Sequence, residues 1–147
     1  MIHLQLLLQF LLTYPGTILG CVLASFVLGF LWYGPIFGAV WVRLTGLASV
    51  SDDQKKAGMP FALGVSALSA LCQSVVLGRA FQILLLENIL HPLIIVLIIW
   101  LPFTALVFAQ NNAYNLRPFR LTLIDAGYTL VNFWVMAIIL YTMVSRA

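Results

Sequence analysis

Apolar residues fill this chain in long runs, and the polar and helix-breaking residues between them predict where each run ends. From Met1 to Val42 there is no Lys, Arg, Asp or Glu. Read as one helix, residues 2–33 would reach about 48 Å at 1.5 Å per residue, against a hydrocarbon core of about 30 Å. Pro15-Gly16 supplies the break. The pattern therefore predicts a short interfacial or tilted helix over 2–12, carrying His3, Gln5 and Gln9, and a first span over 17–33. The run from Leu4 has the length of a signal-peptide core, yet no basic residue precedes it. After Cys21 the chain stays apolar to Tyr33, where a lipoprotein would show a polar tether, so neither form of processing is expected. At Trp32-Tyr33-Gly34-Pro35 the run reaches the membrane surface. Trp and Tyr favour that interface because each ring has an apolar body and a polar tip. Gly34-Pro35 is expected to break the helix, since Pro35 has no backbone donor and restricts its predecessor. Residues 35–46, with Gly38 and Trp41, are then expected to lie along the interface and carry Arg43 into water.

Further on, Thr45 to Gly58 forms the most polar stretch, a solvated connector in which Ser51 is placed to cap a helix. The second span is expected over 59–80. Ala62, Ser66, Ala70, Ser74 and Gly78 recur every fourth residue and predict a packing ridge, with Gly16, Gly20 and Ala24 of the first span as partner. Gln73 beside the ridge should face the bundle, because an unpaired amide in lipid is costly. An interfacial piece is expected over 81–90. There Glu87 and His91 lie one helical turn apart, with Arg79 about two turns earlier, as a proton-sensitive or ligand-binding cluster or, preferably, as snorkelling anchors. The third span is predicted over 93–110, kinked near Ile98 to Trp100 by Pro102, and the amides Gln110, Asn111 and Asn112 close it. The fourth span is predicted over 119–143, after Pro118 in a first helical turn.

Composition fixes the class. Hydrophobic residues make up 63% and charged residues 7% of the 147, where soluble domains carry about 25% charged residues. The fold class is thus all-α, a single integral membrane domain built as a four-helix bundle with short interfacial segments. A net charge of +3 is too small to suggest nucleic acid. Cys21 and Cys72 form no metal or redox motif and read as buried free thiols. Arg43, Lys55, Lys56, Arg117 and Arg120 share one side of a four-span topology, against Arg79 and Arg146 on the other. Positive-inside reasoning therefore puts both termini outside the cytoplasm, with a bacterial inner membrane as the expected location.

One polar face stands out. Asp125, Tyr128, Thr129 and Asn132 lie at i, i+3, i+4 and i+7 of the fourth span. A carboxylate just below the headgroups is costly unless paired. Arg43, Arg117 and Arg120 are its expected charge partners, in a clasp that closes the cytoplasmic end of the bundle. The other reading is a polar path for transport, lined by Asp125, Tyr128, Asn132 and Gln73. No catalytic motif, metal-ligand spacing or cofactor signature occurs, so no enzyme activity, cofactor or metal is expected. The expected partners are the bilayer and either a second copy or another membrane protein, and no small-molecule ligand can be named.

Two blocks carry a resemblance. Gly29-Phe30-Leu31-Trp32-Tyr33-Gly34-Pro35-Ile36-Phe37-Gly38, followed by Trp41, and then Arg117-Pro118 with Leu123-Ile124-Asp125-Ala126-Gly127-Tyr128, resemble the signatures of a family of small, mainly bacterial membrane proteins. It is the domain-of-unknown-function family numbered seventeen sixty-one. The resemblance spans nearly the whole chain and implies a four-helix membrane fold without an assigned activity. The chain departs from it at Ala39, where a basic residue is often expected, and at Thr129, where His is common in that family. A pH-sensing or metal role that depended on that His would be missing here.

Overall fold

Proline sets the first division of the chain. Pro15 occupies the first turn of a helix, and the residue before it leaves the helical region. In the computed structural model, which describes residues 2–84, 86 and 88–144, α1 (Ile2–Thr13) ends at Tyr14 and α2 (Pro15–Leu31) begins. Gly34-Pro35 does not break α2, contrary to expectation. The helix widens into a π-helical segment, Trp32–Ile36, closed by a Phe37 N–H to Trp32 carbonyl bond of 2.9 Å. A wider turn accommodates both the missing Pro35 donor and the clash with the carbonyl one turn back. The chain turns only at Phe37, into α3 (Gly38–Thr45), which ends at Gly46 in the left-handed region with φ 76°.

After a short 3₁₀ turn, Leu47–Ser49, the Ser51 hydroxyl accepts the Gln54 N–H at 3.3 Å and caps α4 (Asp52–Ile83). Asp52 and Asp53 occupy its first turn, where the helix dipole favours negative charge. The helix of the second span passes the expected boundary at residue 80 and takes in the first residues of the interfacial piece expected over 81–90. α4 runs to Ile83, and the described residues from Leu84 to Ile89 are a non-helical connector. Asn88 then caps α5 (Leu90–Trp100), its side-chain oxygen accepting the N–H groups of Leu90 and His91 at 3.0 and 3.3 Å. Pro102 is again absorbed by a π-helical segment, Leu101–Ala105, which passes straight into α6 (Leu106–Tyr114). The distortion thus falls on Leu101–Ala105, which contains the proline, rather than near Ile98 to Trp100. α7 (Phe119–Val144) completes the fold.

Among the described residues, four helices are long and apolar enough to span a bilayer: Pro15–Ile36, Asp52–Ile83, Leu90–Tyr114 and Phe119–Met143. α7 is central, packing against α2, α4 and α5. Met136, Ala137 and Leu140 of α7 share one buried cluster with Cys21 of α2, Ala70 and Val75 of α4, and Val96 of α5. Cys72 differs from expectation, lying exposed on the outer side of α4.

The small-residue ridge of α4 divides in two. Ala70, Ser74 and Gly78 are buried, while Ala62 and Ser66 are exposed. A step of four residues turns a helix by about 400°, so such a row drifts about 40° per step and leaves any one face. The partner also differs from expectation. Gly78 is met by the Phe10 ring of α1 and by Leu140, whereas a Cβ added at Gly16 or Gly20 would touch nothing within 4 Å. α2 instead faces α4 through Ile18, Leu19 and Val22, across an apolar groove from Ala67, Leu68 and Leu71.

Candidate functional site

The two signature blocks meet at the α3 end of the bundle. The π-helical segment rotates Trp32 and Tyr33 toward α7, and α3 folds back beneath them. Gly38 makes this return possible, since a Cβ there would stand 2.6 Å from the Tyr33 carbonyl oxygen. Trp41, one turn into α3, thereby comes beside Tyr33, their ring centroids 5.0 Å apart.

Asp125 is the meeting point. Its Oδ1 accepts the Tyr33 hydroxyl at 3.2 Å and the Trp41 indole N–H at 3.1 Å. Arg43, Arg117 and Arg120, the expected charge partners, are exposed, and none lies within ion-pair distance of it. Among the described residues the ion pair present is Lys55 with Asp52, 3.2 Å apart on α4. The carboxylate is therefore held by uncharged donors, which spares the protein the desolvation of a second full charge at this depth.

The neighbouring turns of α7 are pinned similarly. Trp32 donates its indole N–H to the Ile124 carbonyl at 3.0 Å. Trp100, from α5, donates to the Ala126 carbonyl at 3.1 Å and to Thr129 Oγ1 at 3.0 Å. Tyr128 donates its hydroxyl to the Ser25 carbonyl of α2 at 3.3 Å, and its ring lies 5.1 Å from that of Tyr33. Deeper in the bundle Trp134 donates to the Leu93 carbonyl at 3.2 Å. All 4 tryptophans of the chain thus donate into the bundle. Trp32 and Tyr33, expected at the membrane surface, turn their polar tips inward, where a carbonyl and the carboxylate of α7 offer them acceptors. Two glycines give the rings room: a Cβ at Gly127 would lie 3.3 Å from Trp32, and one at Gly29 3.3 Å from the Tyr128 hydroxyl.

The other sequence-predicted residues fall elsewhere. Asn132, 5% exposed, lies one turn deeper than Tyr128, with its Oδ1 buried and unmatched. Gln73, expected to face the bundle, is partly exposed and donates to Ser69 of its own helix at 2.9 Å. Its nearest acceptor is local, so the bundle does not draw it in. His91 sits at the opposite end, 3.4 Å from the Asn88 amide. Glu87 lies outside the described residues. Gly34 and Pro35 are exposed on the π-helical segment, and a Cβ added at Gly34 would meet nothing within 4 Å. Sequence reasoning missed Trp100, and also Asn112, whose buried amide donates to Thr122 at 2.9 Å and ties α6 to α7. By sequence Asn112 is a helix-end amide, and the register of the α6–α7 turn brings it to Thr122.

Three spans gathered around a fourth that carries a polar face, with an aromatic clasp at one end, define a small helical integral membrane protein. Residues 17–141 match the model of a family described as a protein of unknown function, DUF1761, and the chain belongs to that family. No curated protein and no solved structure matches it.

Proposed function

We propose that this protein is a structural or accessory component of a membrane assembly, in which the Asp125 clasp holds one end of the bundle closed. The observation that carries this reading is the engagement of the polar face of α7. Asp125, Tyr128 and Thr129 are each taken up by side chains or carbonyls of α2, α3 and α5. Side chains committed in this way serve cohesion better than passage. The clasp end faces the cytoplasm of a bacterial inner membrane, a reading supported by Arg43, Lys55, Lys56, Arg117 and Arg120 on that side. No catalytic step is assigned to the protein.

A second reading, a subunit of an oligomeric solute or ion path along α7, draws support from the unmatched, buried Oδ1 of Asn132. One pair of measurements separates them. Proteoliposomes of the intact protein are tested for ion and solute flux, and the Asp125→Leu variant is tested for thermal stability in detergent. The clasp predicts no flux and a clear loss of stability. Flux that disappears in Asp125→Leu at unchanged stability would establish the path instead.

A further inference from the structure

Between α4 and the α1–α2 corner the bundle leaves a groove of about 340 Å³, with Leu11, Ile18 and Val22 on one wall and Ala67, Leu68 and Leu71 on the other. Every side chain that lines it is apolar. Leu19 and Leu68 at its edges are exposed, so it opens to the surroundings of the bundle, which in a bilayer are acyl chains.

A cation marks one end of this groove. Phe10, next to Leu11, packs on Gly78, and Arg79 follows Gly78. Leu68 and Arg79 are 11 residues apart on α4, about three full turns, so they stand on one face about 16 Å apart along the axis. That is close to the depth of one leaflet, half of a hydrocarbon core of about 30 Å. Arg79 Nη1 donates to Gln82 Oε1 at 2.8 Å, while Nε is enclosed without an acceptor. No carboxylate among the described residues lies within ion-pair distance of it. A guanidinium carries five N–H donors, and an unpaired cation at the edge of a bilayer is costly. Phosphate is the acceptor available at headgroup depth, and arginine can grip it through two parallel bonds.

We propose that Arg79 and this groove form a site for one anionic phospholipid, in the leaflet opposite the clasp. Its phosphate sits on Arg79, and one acyl chain runs down the groove from Leu11 toward Leu68. Charge decides the headgroup: a zwitterionic lipid brings a cation of its own to Arg79, whereas a net negative one complements it. The site is independent of the assembly reading above, because a single copy of the chain forms both walls.

The test follows the melting temperature of the full chain in neutral detergent as phosphatidylglycerol or phosphatidylcholine with the same acyl chains is added. Phosphatidylglycerol is expected to stabilise at concentrations about tenfold lower than phosphatidylcholine. Arg79→Gln should abolish that preference and Arg79→Lys should keep part of it. Ala67→Phe, which fills the groove, should weaken the effect of both lipids. Phosphatidylglycerol with a photoreactive group midway along one chain should label the walls around Ile18 and Leu71, and do so less in Arg79→Gln. Equal stabilisation by the two lipids, labelling spread evenly over the four spans, or groove labelling that Arg79→Gln leaves unchanged overturns the proposal. Glycerol phosphate that stabilises as well as the lipid shows a free-phosphate site and overturns it too. So does a photoreactive residue at position 68 that links, in native membranes, to a second polypeptide instead of lipid.

Discussion

The two sides of this bundle are held by different physics. Around α7, directional bonds reach across helices: Trp32, Tyr33, Trp41 and Trp100 all donate to positions 124–129. α4 docks by shape, with Phe10 and Leu140 closing on Gly78. Its polar side chains Ser66, Gln73, Ser74 and Arg79 bond to groups of α4 itself. Lipid tails are as apolar as leucine, so burying apolar surface gives little drive for helices to associate. Where bonds cross between helices, rotation and depth are fixed. Without such bonds, α4 is held by the fit of its second half, at Ala70, Val75 and the Gly78 notch, and its first half is left uncovered.

The largest expected effect lies on the bonded side. Asp125→Leu removes the acceptor shared by Tyr33 and Trp41 and leaves two donors unmatched, which should cost about 2–4 kcal/mol. Asp125→Asn keeps an oxygen in place and should cost less than half as much. Reversible unfolding in mixed micelles measures both. Equal losses would mean that charge, not the shared acceptor, holds the clasp.

Gly38→Ala tests the same side through its backbone. The added Cβ would meet the Tyr33 carbonyl oxygen at 2.6 Å, a rigid neighbour, so a loss of about 2–3 kcal/mol is expected. Hydrogen exchange should rise across α3 and leave α4 unaffected. Faster exchange in both helices would show that the two sides are one cooperative unit.

The spans were legible in the sequence because hydrophobic length and proline positions are one-dimensional signals. So was the polar face of α7, whose members lie within two turns of one another. The clasp was not. Asp125 finds its partners 84 and 92 positions away, and a carboxylate in an apolar run directs attention to arginines rather than to an indole and a phenol. Residue type did not reveal the inward bonds of Trp32 and Tyr33, since an amphipathic ring suits a headgroup or a buried carbonyl equally well. Proline misled too. At Pro35 and Pro102 the helix takes up the missing donor in a wider turn, a choice set by packing on α7 rather than by the local sequence. The i, i+4 row of α4 is legible in the sequence but is not one face, because each four-residue step carries it further around the helix.

On the shape-held side, Gly78→Ala is expected to cost about 1–2 kcal/mol, because the methyl group would press on the Phe10 ring. Phe10 is 2% exposed, so the ring has little room to withdraw. Exchange should rise in α1 and the second half of α4, with the clasp intact. Adding Phe10→Leu should restore part of the loss, and a double-mutant cycle reads that coupling. Purely additive losses would mean that α4 is not held at this notch.

The smallest effect has the opposite sign and concerns the turn that sets α6 beside α7. Leu116 adopts φ 54°, a conformation that costs an L-residue about 1–2 kcal/mol. The Arg117 and Leu116 N–H groups bond back to the Asn112 and Ala113 carbonyls at 2.9 and 3.1 Å, closing α6 in a geometry that glycine usually supplies. The Leu116 side chain is 94% exposed, so removing it forfeits no packing within the protein. Leu116→Gly relieves the strain but adds freedom to the unfolded chain, for a net gain of about 0.5–1 kcal/mol. Leu116→Ala keeps the Cβ, and with it the strain, and should change nothing in detergent. If Leu116→Ala is neutral in detergent yet destabilising in bilayers, the side chain is an anchor among the headgroups. The turn that carries Asn112 to Thr122 would then owe its register to the membrane as well as to the bonds around α7.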